Sequence, residues 1–128
     1  MIESYLDRLR TVLDRYIATP LVLHVKLDFE TRPGGQCHLS GEVLFKDGST
    51  LHFREFLDTT PQGIERLMYS YHHQDADKHM VFRYDNARHR PLLATLAHHK
   101  HVPEGIKVVP CPTFEEVLEE AVTLSDLM

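Results

Sequence analysis

The apolar residues of this chain change period at Pro20, and that change limits the fold more than any other feature. Before it, Leu6, Leu9, Leu13, Tyr16 and Ile17 recur at three- and four-residue spacing, while Asp7, Arg8 and Asp14 face away. That pattern predicts an amphipathic helix over residues 2–17, stopped by Pro20. After it the period is two. LVLHVKLDF sets Val22 and His24 against Leu23, Val25, Leu27 and Phe29, as a half-buried strand does. Arg32-Pro33-Gly34-Gly35 is a turn or short loop. HLSGEVLFK follows, then Asp47-Gly48, a strong hairpin signal. STLHFREFL then puts Leu51, Phe53 and Glu55 on one side and His52, Arg54 and Phe56 on the other.

Residues 59–66, TTPQGIER, read as a linker or a short helical turn starting at Pro61. RLMYSYHHQD and HMVFRYD form a further hairpin around Ala76-Asp77-Lys78. Residues 87–104 read as irregular, and IKVVP as a short strand closing the sheet. Thr113 and Glu116 make a capping box. The helix FEEVLEEAVTLSDL then buries Phe114, Val117, Leu118, Ala121 and Val122 or Leu124, with Glu115, Glu116, Glu119 and Glu120 turned outward. The expected fold is one α+β domain over residues 1–128. It comprises an N-terminal helix, an antiparallel meander sheet of about five to six strands, and a C-terminal helix packed on the sheet.

Charge narrows the function. The formal net charge is −5 with histidine neutral, which argues against electrostatic coating of DNA or RNA. The acids crowd the C-terminal helix, however, while Arg83, Arg88, Arg90 and Lys100 mark the middle. No apolar run is long enough to span a bilayer, and MIESYLDRLR lacks a secretory h-region. Cys37 and Cys111 are therefore expected as free thiols in a reducing cytoplasm.

The chemistry concentrates in one stretch. Seven of the ten histidines fall between His72 and His101, and imidazole is the side chain that exchanges protons near neutral pH. On a strand, Arg83 and Asp85 share a face, where the carboxylate can orient an imidazole or simply pair with the guanidinium. Tyr69, Tyr71 and His73 share one face, and Ser70, His72 and Gln74 the other, so His72 and His73 point oppositely. Asn86 suits the end of a strand. His98, His99 and His101 sit in HHKH, outside any H-E-x-x-H or C-x-x-C pattern. His24, His38, His52 and His79 read as incidental. There is no Gly-rich phosphate loop, no G-x-S-x-G elbow and no cysteine near the histidines in sequence.

The combination YSYHHQDADKHMVFRYDNARHRP followed by HHKH resembles the TumE family of small toxin–antitoxin proteins. The shared pattern falls on Tyr71, His72, Gln74 and Asp75, then Arg83, Asp85, Asn86 and His89, then His98, His99 and His101. Ala97 stands where the pattern has proline. The resemblance runs from about Gly41 through the C-terminal helix. It implies a toxin that acts with a separate antitoxin, typically a helix-turn-helix DNA-binding protein.

Three functions are then open. The first is metal-independent RNA cleavage, which needs a base, an acid and a cation for the phosphate. Its catalytic candidates are His72, Arg83, Asp85, His89, His98, His99 and His101, with Tyr71, Asn86 and Lys100 as substrate contacts. The second is a regulatory partner without chemistry, in which the histidines are structural. The third is a metal-dependent nuclease holding a divalent ion on His98, His99, His101 and Asp75 or Asp85. No cofactor is assigned in the first two.

Overall fold

The computed structural model describes residues 1–87 and 98–126. Helix α1, Ile2–Ile17, ends at the residue the periodicity predicts. Seven strands follow: β1 Val22–Arg32, β2 Gln36–Phe45, β3 Thr50–Thr60, β4 Gly63–Gln74, β5 Met80–Asp85, β6 His99–Val102 and β7 Gly105–Val108. Helix α2, Phe114–Asp126, closes the chain. The strands make one antiparallel sheet in chain order. Among the described residues, no helix is long and apolar enough to cross a membrane.

Both helices cover the same face. Leu6, Leu9, Val12 and Leu13 of α1 and Phe114, Val117, Leu118 and Ala121 of α2 are buried with Leu39, Val43, Leu51, Phe53, Leu57, Tyr71 and Phe82 of the sheet. The Phe114 ring meets Phe53 edge-on at 4.9 Å and Tyr71 at 6.1 Å. Gly41 makes room for the close packing there, because a Cβ at that position would stand 2.3 Å from the Lys26 carbonyl oxygen and 2.4 Å from Phe53 Cζ. Gly48, with φ +87°, supplies the turn of the Asp47-Gly48 hairpin. The capping box is made in both directions: Glu116 N donates to Thr113 Oγ1 at 3.1 Å, and Thr113 N to Glu116 Oε1 at 2.9 Å. Ser49 and Ser125 hydroxyls meet at 3.1 Å and tie the far end of α2 to the sheet.

Four expectations need correction. The sheet has seven strands, not five or six. Residues 59–66 are neither linker nor helical turn: β3 and β4 continue to Thr60 and from Gly63, and only Pro61 and Gln62 separate them. Their ends run past the core, so Asp58, Thr59 and Glu65 show no apolar alternation. Residues 99–102, read as irregular, pair with β5 as β6. The first strand breaks its own alternation: a bulge between Val22 and His24 leaves Leu23 58% exposed and turns Val22 inward. Much of the remaining 87–104 segment lies outside the described residues.

A polar network runs through the core. Glu55, 1% exposed, accepts hydrogen bonds from the hydroxyls of Tyr5 on α1 and Tyr71 on β4. Arg66 Nη1 donates to the Tyr71 oxygen at 2.6 Å, and Nη2 to the Pro112 carbonyl at 2.7 Å. Burial raises the Glu55 carboxyl above its ordinary value, against the opposing pull of Tyr5, Tyr71 and Arg66. Arg66 reaches this face because β4 carries an extra residue, Leu67, opposite the Phe56/Leu57 step. Without that bulge, Arg66 would fall on the sheet face that the helices leave bare.

His73 is the core's other polar member. It lies edge-on to Phe45 and Phe82, at 5.8 and 5.1 Å, and neither ring nitrogen has a hydrogen-bond partner among the described residues. Burial holds it below the ordinary histidine value of 6.5, despite the nearby carboxylates of Asp47, Glu120 and Asp75. His72 is held low as well, first by burial, then by Arg83 and His52.

Both groups bind protons more readily in the unfolded chain than in the folded one. Their contribution to stability is complete above about pH 6.5 and falls away as pH drops. Melting temperature should therefore fall between pH 7 and pH 5. His73→Phe should reduce that fall, as thermal denaturation followed by circular dichroism would register. Tyr71→Phe should lower stability by about 1–3 kcal/mol in urea denaturation, since it deprives both Arg66 and Glu55 of a partner.

Candidate functional site

The alternation of the sheet carries every second residue to the face away from the helices. Cross-strand register then lines these residues up in rows. One row runs Glu42, His52, His72, Arg83, His101 and Ile106 from β2 to β7. The next runs Ser40, Arg54, Ser70, Asp85, His99 and Val108. A shorter third row is His38, Phe56 and Met68.

Asp85 is the hub of the cluster. Its side chain is 4% exposed, with Arg83 Nε at 3.1 Å and His101 Nε2 at 3.0 Å from Oδ2. His99 Nδ1 stands 3.6 Å from Oδ1, which also accepts from the Ala87 backbone N–H at 3.3 Å. One buried carboxylate therefore organises a guanidinium and two imidazoles drawn from two strands. A carboxylate against a ring nitrogen fixes how the imidazole is turned.

Beside this cluster lies a pocket of about 320 Å³ whose lining includes His38, His52, Arg54, Met68, His72, Arg83 and Asp85. His72 sits between His52 and Arg83, its ring 6.5 Å from that of His52. An imidazole held neutral can take up a proton, so the pocket offers a base and two guanidiniums, with the imidazole of His101 next to it on Asp85.

The sequence candidates separate into three groups. His72, Arg83, Asp85, His99 and His101 meet on the open face. Tyr71, Lys100 and His98 lie on the helix side. Tyr71 belongs to the buried Glu55 network, Lys100 Nζ lies 2.8 Å from Glu120, and His98 Nδ1 is 2.8 Å from the Tyr69 hydroxyl with its ring stacked on Tyr69. Glu120 thus binds Lys100 and Tyr84 instead of facing solvent as its helical position suggested. Asn86 bridges backbone: it accepts from Tyr69 N at 3.0 Å and donates to the Leu67 carbonyl at 3.1 Å. His89 lies outside the described residues.

Sequence reasoning missed His38, His52 and Arg54. Each has the parity of the open face, but only the register of β2, β3 and β4 brings them to His72. The metal-ligand set proposed from the sequence divides, with His98 on the face opposite His99 and His101. Among the described residues, three metal-ligating donors come within 4.8 Å of one another at the exposed turn Asp75, Asp77 and His79. There, Asp75 Oδ1 already accepts from the Asp77 and His79 backbone N–H groups, both at 2.9 Å. Both cysteines are free thiols, Cys37 buried and Cys111 exposed beside Arg66.

A family model described as Toxin TumE matches residues 9–125. No curated protein and no solved structure matches the chain.

Asp85→Ala should cost about 1–3 kcal/mol in urea denaturation, because buried donors lose their acceptor. Asp85→Asn should cost less, since its amide oxygen still accepts from the Ala87 N–H.

Proposed function

The chain belongs to the TumE toxin family, and we propose that it is the toxin of a toxin–antitoxin pair that cleaves RNA by acid–base chemistry without a resident metal. The observation that carries this reading is the row His72, Arg83 and His101 on three adjacent strands, with Asp85 beside it. Arg83 stands between two imidazoles that are two strand spacings apart, roughly 10 Å. A phosphodiester laid over Arg83 has one imidazole on either side.

The roles follow from the surroundings. His72, held neutral by burial and by Arg83 and His52, takes the proton from a ribose 2′-hydroxyl. The 2′-oxygen attacks phosphorus, and the guanidinium of Arg83 offsets the charge that develops on the phosphate oxygens. His101, turned by Asp85, gives a proton to the departing 5′-oxygen. The products are a 2′,3′-cyclic phosphate and a free 5′-hydroxyl. His99, fully buried against Asp85, is a positioning residue. The sheet face away from the helices is where a cognate antitoxin, a helix-turn-helix protein in this reading, would silence the toxin in the cytoplasm.

The alternative without chemistry rests on Tyr71, Asn86 and Lys100, which have structural partners in place of exposed ones. Expression without antitoxin separates the two readings. Wild type should arrest growth and degrade RNA. His72→Ala, Arg83→Ala and His101→Ala should each lose about 10²–10⁴-fold in cleavage rate while keeping a cooperative melt. Equal toxicity in all four proteins, or loss that follows only falling melting temperature, would discard the catalytic assignment.

A further inference from the structure

We propose that the pocket on β2, β3 and β4 is a nucleotide-binding subsite that holds a neighbouring unpaired nucleotide of a single-stranded RNA, with Arg54 on a phosphate and the base against Met68. The inference rests on the RNA-cleavage reading for the identity of the ligand. It assigns residues that the reaction itself does not use.

Three observations support it. First, Arg54 is exposed and makes no ion pair or hydrogen bond among the described residues, although its neighbours along the row are polar. Second, Arg54 and Arg83 lie at opposite ends of the pocket, two strands across and one row apart, which is roughly 12 Å at the backbone. At that spacing a ligand that fills the pocket can meet the two guanidiniums with successive phosphates. Third, an apolar side chain lines the pocket beside Arg54, one row along from it. Met68 is 46% exposed and pairs across the strands with Phe56, which in turn pairs with His38. An exposed methionine beside an unpaired guanidinium suits a base lying on the apolar side chain with its phosphate on the arginine.

This geometry also selects among nucleic acids. The base must leave any stack to reach Met68, so single strands fit and continuous duplexes do not.

The test uses the full chain carrying His101→Gln to block cleavage. Its binding to a fluorescent ten-nucleotide single-stranded RNA of mixed sequence is compared with binding to a duplex of equal length, across a salt series. Adding Arg54→Ala should weaken single-strand binding about tenfold and reduce the salt slope by about one. Arg54→Lys should restore the slope, and Met68→Ala should weaken binding without changing it. Arg54 is exposed, so melting temperature should be unaffected. Unchanged affinity in Arg54→Ala, or duplex binding as tight as single-strand binding, overturns the subsite. Cleavage is measured in parallel on protein with His101 intact. RNA cut by wild type and Arg54→Ala at equal rates sinks the subsite alone. RNA bound through Arg54 but never cut sinks the catalytic reading alone. No binding of RNA by the parent sinks the subsite whatever wild type does.

Discussion

Everything in this molecule depends on the two-residue alternation of a single, continuously paired sheet. Helices α1 and α2 cover one face, and the other carries the pocket and the buried Asp85 and His99. Each central strand therefore serves two environments at once. On β4, Tyr69, Tyr71 and His73 build the core while Ser70 and His72 face the pocket. A change of register by one residue would exchange these roles along the whole strand. The adjacent hairpins in chain order make such a slip hard, since the registers from β1 to β5 are each set by a turn of only a few residues.

The two buried carboxylates show how differently the faces treat charge. Glu55 lies among tyrosine hydroxyls under the helices, and burial favours its protonated form. Asp85 lies at the edge of the open face and is surrounded by Arg83, His99 and His101. The first arrangement joins α1, the sheet and the start of α2 into one packed unit. The second gathers groups that exchange protons or carry positive charge. Ser70, paired to Asp85, and Tyr71, bound to Glu55, are consecutive residues, so the core network and the cluster are braced by the same stretch of backbone.

Local signals proved legible in the sequence. The period of three to four marked α1, the Thr113–Glu116 spacing marked the start of α2, and Asp47-Gly48 marked a hairpin. Parity correctly separated His72 from His73. What could not be read was anything that depends on register between strands. His38, His52 and Arg54 look incidental along the chain because their relation to His72 exists only across it. HKHV escaped as a strand because its fully buried residue is a histidine against Asp85, and a lysine takes the place of an apolar side chain on its helix-facing side. Bulges were equally hidden, since Leu23 and Leu67 are ordinary apolar residues in apolar strands.

The Leu67 bulge has a consequence for how such a chain can drift. Asn86 clasps it from the neighbouring strand, taking the Tyr69 N–H and giving to the Leu67 carbonyl, and the bulge in turn sends Arg66 under the helices to Tyr71. Side chains here are therefore easier to exchange than length. Loss of a single residue between Arg66 and Met68 would throw the guanidinium out of the core and onto the face away from the helices, beside the pocket. It would strand the Asn86 amide as well. An insertion or deletion would therefore cost less in a turn than in this stretch of β4, where the count of residues sets which face Arg66 reaches.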